Sequence, residues 1–198
     1  MPVALIDAGG ANLGSVRYAL ERLGIAPRIV RDADELARAG RIILPGVGAA
    51  APAMAALRER GLDAALRKAD VPVMGICLGM QLLYDSSEEG SVQCLGLIPG
   101  RVRRLLPTAG VRVPHMGWNP LRDVAGQPLL EGIRDGDCVY FVHGYAAPVG
   151  EDTVATCRHG ETFSAIVRRG IHCGAQFHPE RSAGPGARLL ANFLRWQP

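Results

Sequence analysis

Four short apolar runs punctuate the first 77 residues: "VALID" (3–7), "PRIV" (27–30), "RIILP" (41–45) and "VPVMGIC" (71–77). Helical stretches lie among them. In "SVRYALERLG" (15–24), Val16, Ala19, Leu20 and Leu23 share one helical face, Ser15 is placed to cap the start and Gly24 to end it. An alanine-rich stretch over 50–69 reads as a second helix, with Pro52 in its first turn, and "LGMQLLYD" (78–85) as a third. Strands alternating with helices imply a parallel sheet covered on both faces. This is the strongest constraint the chain carries, and it predicts an α/β fold with a mostly parallel central sheet flanked by helices.

The second half changes character. "RVRRLL" (101–106), "VRVPHMGW" (111–118), "CVYFVHGYAA" (138–147), "TVATC" (153–157), "FSAIVRR" (163–169) and "IHCGAQF" (171–177) are strand-like and separated by Gly, Pro or Asp. They predict an antiparallel region added to the parallel core. "GARLLANFLRW" (186–196) closes as an amphipathic helix with Leu189, Leu190, Phe193 and Leu194 inward. With 198 residues and no shift in composition, the expectation is one domain over 1–198.

Charge and cysteine usage exclude several function classes. A net charge of +3 with scattered basic residues does not suggest a nucleic-acid binder. Five cysteines without a CxxC pair argue against a disulfide framework or zinc knuckle and for a reducing compartment. "MPVALIDAGG" lacks a basic leader, and the longest apolar run, Val71 to Met80, is about half a membrane span, so a cytoplasmic protein without a membrane partner is expected.

Chemistry concentrates at "GICLG" (75–79), which has the spacing of G-x-S-x-G with sulfur for oxygen. In that motif the nucleophile occupies a tight strand-to-helix turn relieved by flanking glycines. The positive end of the helix favours a thiolate, and free N–H groups beginning at Leu78 can face an oxyanion. A buried packing residue is the competing reading of Cys77, and these residues alone leave both open. A thiolate needs a base. Among His115, His143, His159, His172 and His178, only His178 has a carboxylate built in beside it, in "QFHPERS" (176–182). Pro179 extends the chain at His178, so Glu180, two residues on, shares its side. A bare His-Pro-Glu can equally be a polar turn. No metal-ligand spacing is present, and neither a metal nor a cofactor is expected. "GGANLG" (9–14) is a weak dinucleotide fingerprint, since it lacks G-x-G, and "PGVGAA" (45–50) allows close backbone approach or merely a turn.

Taken together, "PGVG", "GICLGMQ" and "GAQFHPERS" resemble the class I (triad-type) glutamine amidotransferases, in order and separation, along nearly the whole chain. "VPHMGWN" (113–119) and "YFVHGY" (140–145) are similar to the branch whose glutaminase subunit serves histidine biosynthesis. The resemblance implies that Cys77 attacks the amide of glutamine, His178 moves the proton and Glu180 orients His178. It places the oxyanion hole at Leu78 and at Gly46, Val47 and Gly48. Gln81, Gly144 and Tyr145 would hold the ends of glutamine. It also implies a (β/α)₈-barrel cyclase partner, in a heterodimer, that receives the ammonia. Three positions depart from the pattern: Ala8 replaces an aromatic or polar residue, Ala11 a glycine, and Gly144 a serine or threonine. Arg181 stands for the commoner lysine and is expected near the cyclase. Rival readings are a subunit serving guanylate, anthranilate or pyridoxal-phosphate synthesis, a non-catalytic subunit retaining the fold, and a cysteine hydrolase of the same elbow type.

Overall fold

The computed structural model describes residues 2–7 and 12–198; Ala8 and Ala11, with most of the glycine stretch at 9–14, lie outside them. The first half runs β1 (Val3–Ile6), α1 (Leu13–Arg22), β2 (Arg28–Val30), α2 (Ala33–Leu36), β3 (Arg41–Gly46), α3 (Ala50–Glu59), α4 (Leu62–Lys68), β4 (Val73–Cys77) and α5 (Leu78–Leu82). The second supplies β5 (Tyr84–Ser87), β6 (Val92–Gln93), β7 (Ile98–Arg104), β8 (His115–Pro120), β9 (Cys138–His143) and β10 (Tyr145–Ala146). It ends with β11 (Thr153–His159), β12 (Glu161–Arg169), β13 (His172–Ala175) and α6 (Ala183–Arg195).

Seven strands form the central sheet in the order β11-β12-β13-β4-β3-β1-β2. From β13 to β2 every pairing is parallel, and β12 runs antiparallel to both β13 and β11. The mostly parallel sheet with an antiparallel addition is therefore as the sequence predicts. The alternation of side chains splits each parallel strand between two cores. Val3, Leu5, Ile43, Met74 and Ile76 join one cluster, with α1, α6, Phe141, Phe163 and Phe177. Ala4, Ile6, Ile42, Leu44 and Val73 join the other, with Met54, Leu57, Leu66, Leu78 and Leu82 of α3, α4 and α5. Burial on both faces is why these strands read as unbroken apolar runs. A small sheet, β10-β7-β5-β6, and a two-stranded antiparallel ribbon of β8 and β9 complete the fold.

Four local expectations are corrected. Helix α1 begins at Leu13 with Asn12 as its N-cap, so Ser15 lies inside the first turn and caps nothing; Gly24, at φ +78°, does end the helix. The stretch 50–69 breaks at Gly61, whose φ of +67° no helix interior accommodates. "LGMQLLYD" is helical only to Leu82 and then enters β5. Residues 78–84 are all buried, so the run has no period by which helix and strand can be told apart. "CVYFVHGYAA" divides at Gly144 into β9 and β10, which pair with different partners.

Candidate active site

The nucleophile candidate sits where β4 meets α5. Cys77 takes φ 53°, ψ −112°, a conformation costly for a side-chain-bearing residue, and is 6% exposed. Its neighbours explain how the turn closes. A Cβ on Gly79 would lie 1.8 Å from the Leu44 carbonyl oxygen of β3, and one on Gly75 would lie 2.5 Å from the carbonyl oxygen of Gly79. Only glycine lets α5 fold back this closely onto the sheet. Gly46 meets the same elbow from the other side, where its Cβ would stand 2.6 Å from the Gly79 nitrogen.

Strand pairing brings the second half of the site alongside. In the parallel register of β4 and β13, Ile76 faces Ala175, so Cys77 and Gln176 leave the sheet side by side. The Gln176 amide nitrogen approaches the Cys77 sulfur at 3.8 Å. Two residues on, His178 Nδ1 donates to Glu180 Oε1 at 2.8 Å, with the side chains of both residues buried. Asn12 Nδ2 also donates to that carboxylate oxygen, at 2.5 Å. A carboxylate only accepts, so the proton of the imidazole is fixed on Nδ1 and Nε2 is turned away from Glu180. Nε2 is buried with no hydrogen-bond partner among the described residues. Burial pulls the His178 pKa down, but the Glu180 hydrogen bond and the charges of Cys77 and Glu180 outweigh it and hold the group at about 10. The imidazolium is thus stabilised beside the sulfur.

A cavity of about 280 Å³ opens above this pair, lined by Val47, Gly48, Cys77, Leu78, Gln81, Glu89, Val142, His143, Gly144, Tyr145 and His178. It lies at the carboxyl ends of β3 and β4, where open α/β sheets bind ligands. Its volume, just below the ~300–1,000 Å³ of drug-sized sites, suits an amino acid. Every sequence-predicted site residue lines it except Gly46, beneath the elbow, and Glu180, behind His178. Gln81 Nε2 donates to the Tyr145 carbonyl at 2.8 Å and to Gln176 Oε1 at 2.9 Å. Its two N–H groups are spent on the protein, which leaves its carbonyl oxygen for a donor.

Sequence reasoning missed Glu89, His143 as a cavity residue, and Asn12. Glu89 Oε2 accepts from the Ala50 amide at 2.9 Å, and burial raises its pKa. Nothing at sequence level separates Glu89 from the adjacent Glu88; only the β5–β6 turn aims one of them inward. Asn12 belongs to the stretch whose dinucleotide fingerprint is weak, and it braces Glu180. Among the other cysteines, burial pushes the thiols of Cys94 and Cys157 up to about 11 and about 12, and that of Cys173 up as well. These are packing residues. Among the described residues no group of three or more His, Cys, Asp or Glu could hold a metal ion, and no helix is long and apolar enough to cross a membrane.

Comparison with known proteins agrees with this geometry. The family described as "Glutamine amidotransferase class-I" matches residues 4–196. The chain is 65% identical over 192 residues to "Imidazole glycerol phosphate synthase subunit HisH" of Xanthomonas oryzae pv. oryzae, covering 97% of this chain and 96% of that one. It is 62% identical, with the same coverage, to the protein of that name from Xylella fastidiosa. A crystal structure titled as a glutamine amidotransferase superposes with a TM-score of 0.77 at 26% identity, covering 98% of each chain.

Proposed function

The chain belongs to the class I glutamine amidotransferases, and from that premise we propose that it is the glutaminase subunit of an imidazole glycerol phosphate synthase, acting in histidine biosynthesis. The observation that carries the reading is the His178–Glu180 pair, buried and proton-fixed, beside a cysteine held on a strained elbow under an amino-acid-sized cavity. Residues 1–198 act as a single amidotransferase domain in this reading.

The mechanism follows from those placements. The Cys77 thiolate attacks the side-chain amide carbon of glutamine, and the carbonyl oxygen takes up the negative charge. The N–H of Leu78, first residue of α5, and the backbone at Val47–Gly48, both in the cavity lining, are assigned as the donors that stabilise that oxygen; Gly46 keeps the strand close beneath. His178 Nε2 gives its proton to the departing nitrogen, so ammonia leaves and a thioester remains. Water then attacks the thioester carbon, His178 accepts the water proton, and glutamate departs as the thiolate re-forms. Glu180 stays ionised throughout and holds the ring by Nδ1. Glu89 and the Gln81 carbonyl oxygen accept from the α-ammonium of glutamine. The Gly144–Tyr145 backbone bounds the far end of the cavity. Among the described residues a Cβ on Gly144 would find only Val113, at 3.9 Å, so the departure from serine or threonine there removes a hydroxyl without closing the site.

Ammonia passes to a cyclase partner, and the exposed Met116 and Trp118 of β8 (64% and 56%) offer it an apolar surface. The test is glutamate release from glutamine with and without the cyclase subunit and its nucleotide ligand, Cys77→Ala serving as the blank. Strong activation by the liganded partner, absent from the blank, is the expected result. Turnover indifferent to the partner removes the pathway; no turnover from folded protein removes the chemistry.

A further inference from the structure

At the cavity wall and behind it, three polar side chains that the mechanism does not use join the outer ribbon to the site. Their protonation states follow from what each atom faces. His143 Nδ1 lies 2.8 Å from the Tyr145 carbonyl oxygen, which only accepts, so Nδ1 carries the proton. In a neutral imidazole Nε2 is then a bare acceptor, and it faces His115 Nδ1 at 3.0 Å, which must donate. His115 Nε2 is in turn an acceptor, and Asn119 Nδ2 donates to it at 3.2 Å. The second N–H of Asn119 goes to the Arg158 carbonyl at 2.9 Å. Every contact is satisfied in one direction only. An extra proton on either ring would set N–H against N–H.

The surroundings keep both rings neutral. His115 is stacked between Phe141 at 4.7 Å and His159 at 4.0 Å, and both linked rings are buried, at 3% and 5% exposure. Burial first, then the neighbouring histidines, push His115 down to about 3. Burial, against the Tyr145 hydrogen bond, takes His143 to about 4.

The far end of the chain is the reacting centre. The Tyr145 carbonyl also receives Gln81 Nε2, whose other N–H goes to Gln176, and Gln176 reaches the Cys77 sulfur. We infer that Asn119, His115 and His143 form a one-way hydrogen-bond chain that fixes the Tyr145 carbonyl, and through it Gln81, so that both histidines are positioning residues for glutamine. The inference rests on the amidotransferase reading of the cavity. It gives β8, the strand bearing Trp118, a route to the pocket wall through side chains alone.

Two measurements on the full chain test it. Long-range ¹H–¹⁵N spectra of histidine-labelled wild type should show His115 and His143 both as the Nδ1–H tautomer at pH 7. Either ring found as Nε2–H overturns the chain, whether or not any variant folds. In kinetics with the cyclase partner, His143→Phe keeps the aromatic packing and removes the donor, while the Asn Nδ2 of His143→Asn takes the place of Nδ1. Glutamine kcat/KM should fall about tenfold in His143→Phe, chiefly through KM, the worth of one hydrogen bond, and stay within about threefold of wild type in His143→Asn. Equal losses in the two variants, or no loss in either, would overturn the positioning role. A wild type with both tautomers as stated but no glutamine turnover would overturn the amidotransferase reading and leave the chain standing.

Discussion

Adding one methyl group at Gly79 tests the elbow most directly. The new Cβ would lie 1.8 Å from the Leu44 carbonyl oxygen and 2.8 Å from its carbonyl carbon. Ordinary contact begins at 3.4 Å, so α5 and β3 must part by about 1.6 Å. Both colliding groups are main chain, in a short helix and a central strand, and neither can swing aside as a side chain would. Overpacking of this kind costs ~1–3 kcal/mol, and the rigidity of both partners puts it at the top of that range. Alanine returns something under 1 kcal/mol through helix propensity and the unfolded state. A net loss of about 2–3 kcal/mol should lower the melting temperature of a chain of this size by roughly 5–10 °C. Glutaminase activity should fall further, on the order of a hundredfold, because the Leu78 amide moves with α5 by a distance that matters to catalysis. Gly14→Ala is the control: it sits in α1 with nothing among the described residues nearer its Cβ than Tyr18 at 4.0 Å, and should gain roughly 0.5–1 kcal/mol. Calorimetry of both variants, with glutamate release, reads the two signs. Gly79→Ala melting within 2 °C of wild type with its activity intact, to within about twofold, would refute the close approach.

Because Cys77 is held at φ 53°, Cys77→Gly should be at least as stable as Cys77→Ala in urea denaturation, where glycine ordinarily loses by ~0.5–1 kcal/mol; both should be inactive. His178, raised from 6.5 to about 10, adds stability that is complete below pH 6.5 and lost as pH rises through about 10. Melting temperatures between pH 7 and 10.5 should therefore fall, and Glu180→Gln should flatten the fall. His115 and His143 act in the opposite sense, since they stay neutral in the fold at about 3 and about 4 while the unfolded chain protonates them near 6.5. Stability should drop as pH falls from 6.5 toward 4, by up to ~1.4 kcal/mol per group per pH unit, read from urea midpoints.

What was legible in the sequence follows from where each residue lies in the fold. The parallel core could be read because two-sided burial writes strands as unbroken apolar runs, and the elbow because a close approach demands glycine on both sides of one residue. Cys77, His178 and Glu180 carry weaker local signals, each with a packing or turn reading beside it, and only the resemblance of the motifs taken together chooses between those readings. The end of α5 could not be read, since seven consecutive buried residues erase the period that separates helix from strand. Asn12, Glu89 and the His115–His143 pair share a different difficulty. Their roles arise from contacts across long sequence separations, and an Asn, a Glu or a lone His has many surface uses that look alike in one dimension.

The register of three strands accounts for why so much chemistry converges. Parallel pairing sets Gly46 opposite Cys77 and Ile76 opposite Ala175, so the ends of β3, β4 and β13 leave the sheet together. A slip of one residue in β13 would turn His178 to the other side and move Gln176 away from the Cys77 sulfur. The buried side chains of Cys173 and Ala175, on one face, and the close fit of Gly174 against Met80, on the other, fix that register. A Cβ at Gly174 would lie 2.7 Å from the Met80 side chain, in the first turns of α5. The glycine that seats β13 thus packs against the helix that follows Cys77, and the placement of thiol and imidazole side by side is set by the core beneath them rather than by the loops above.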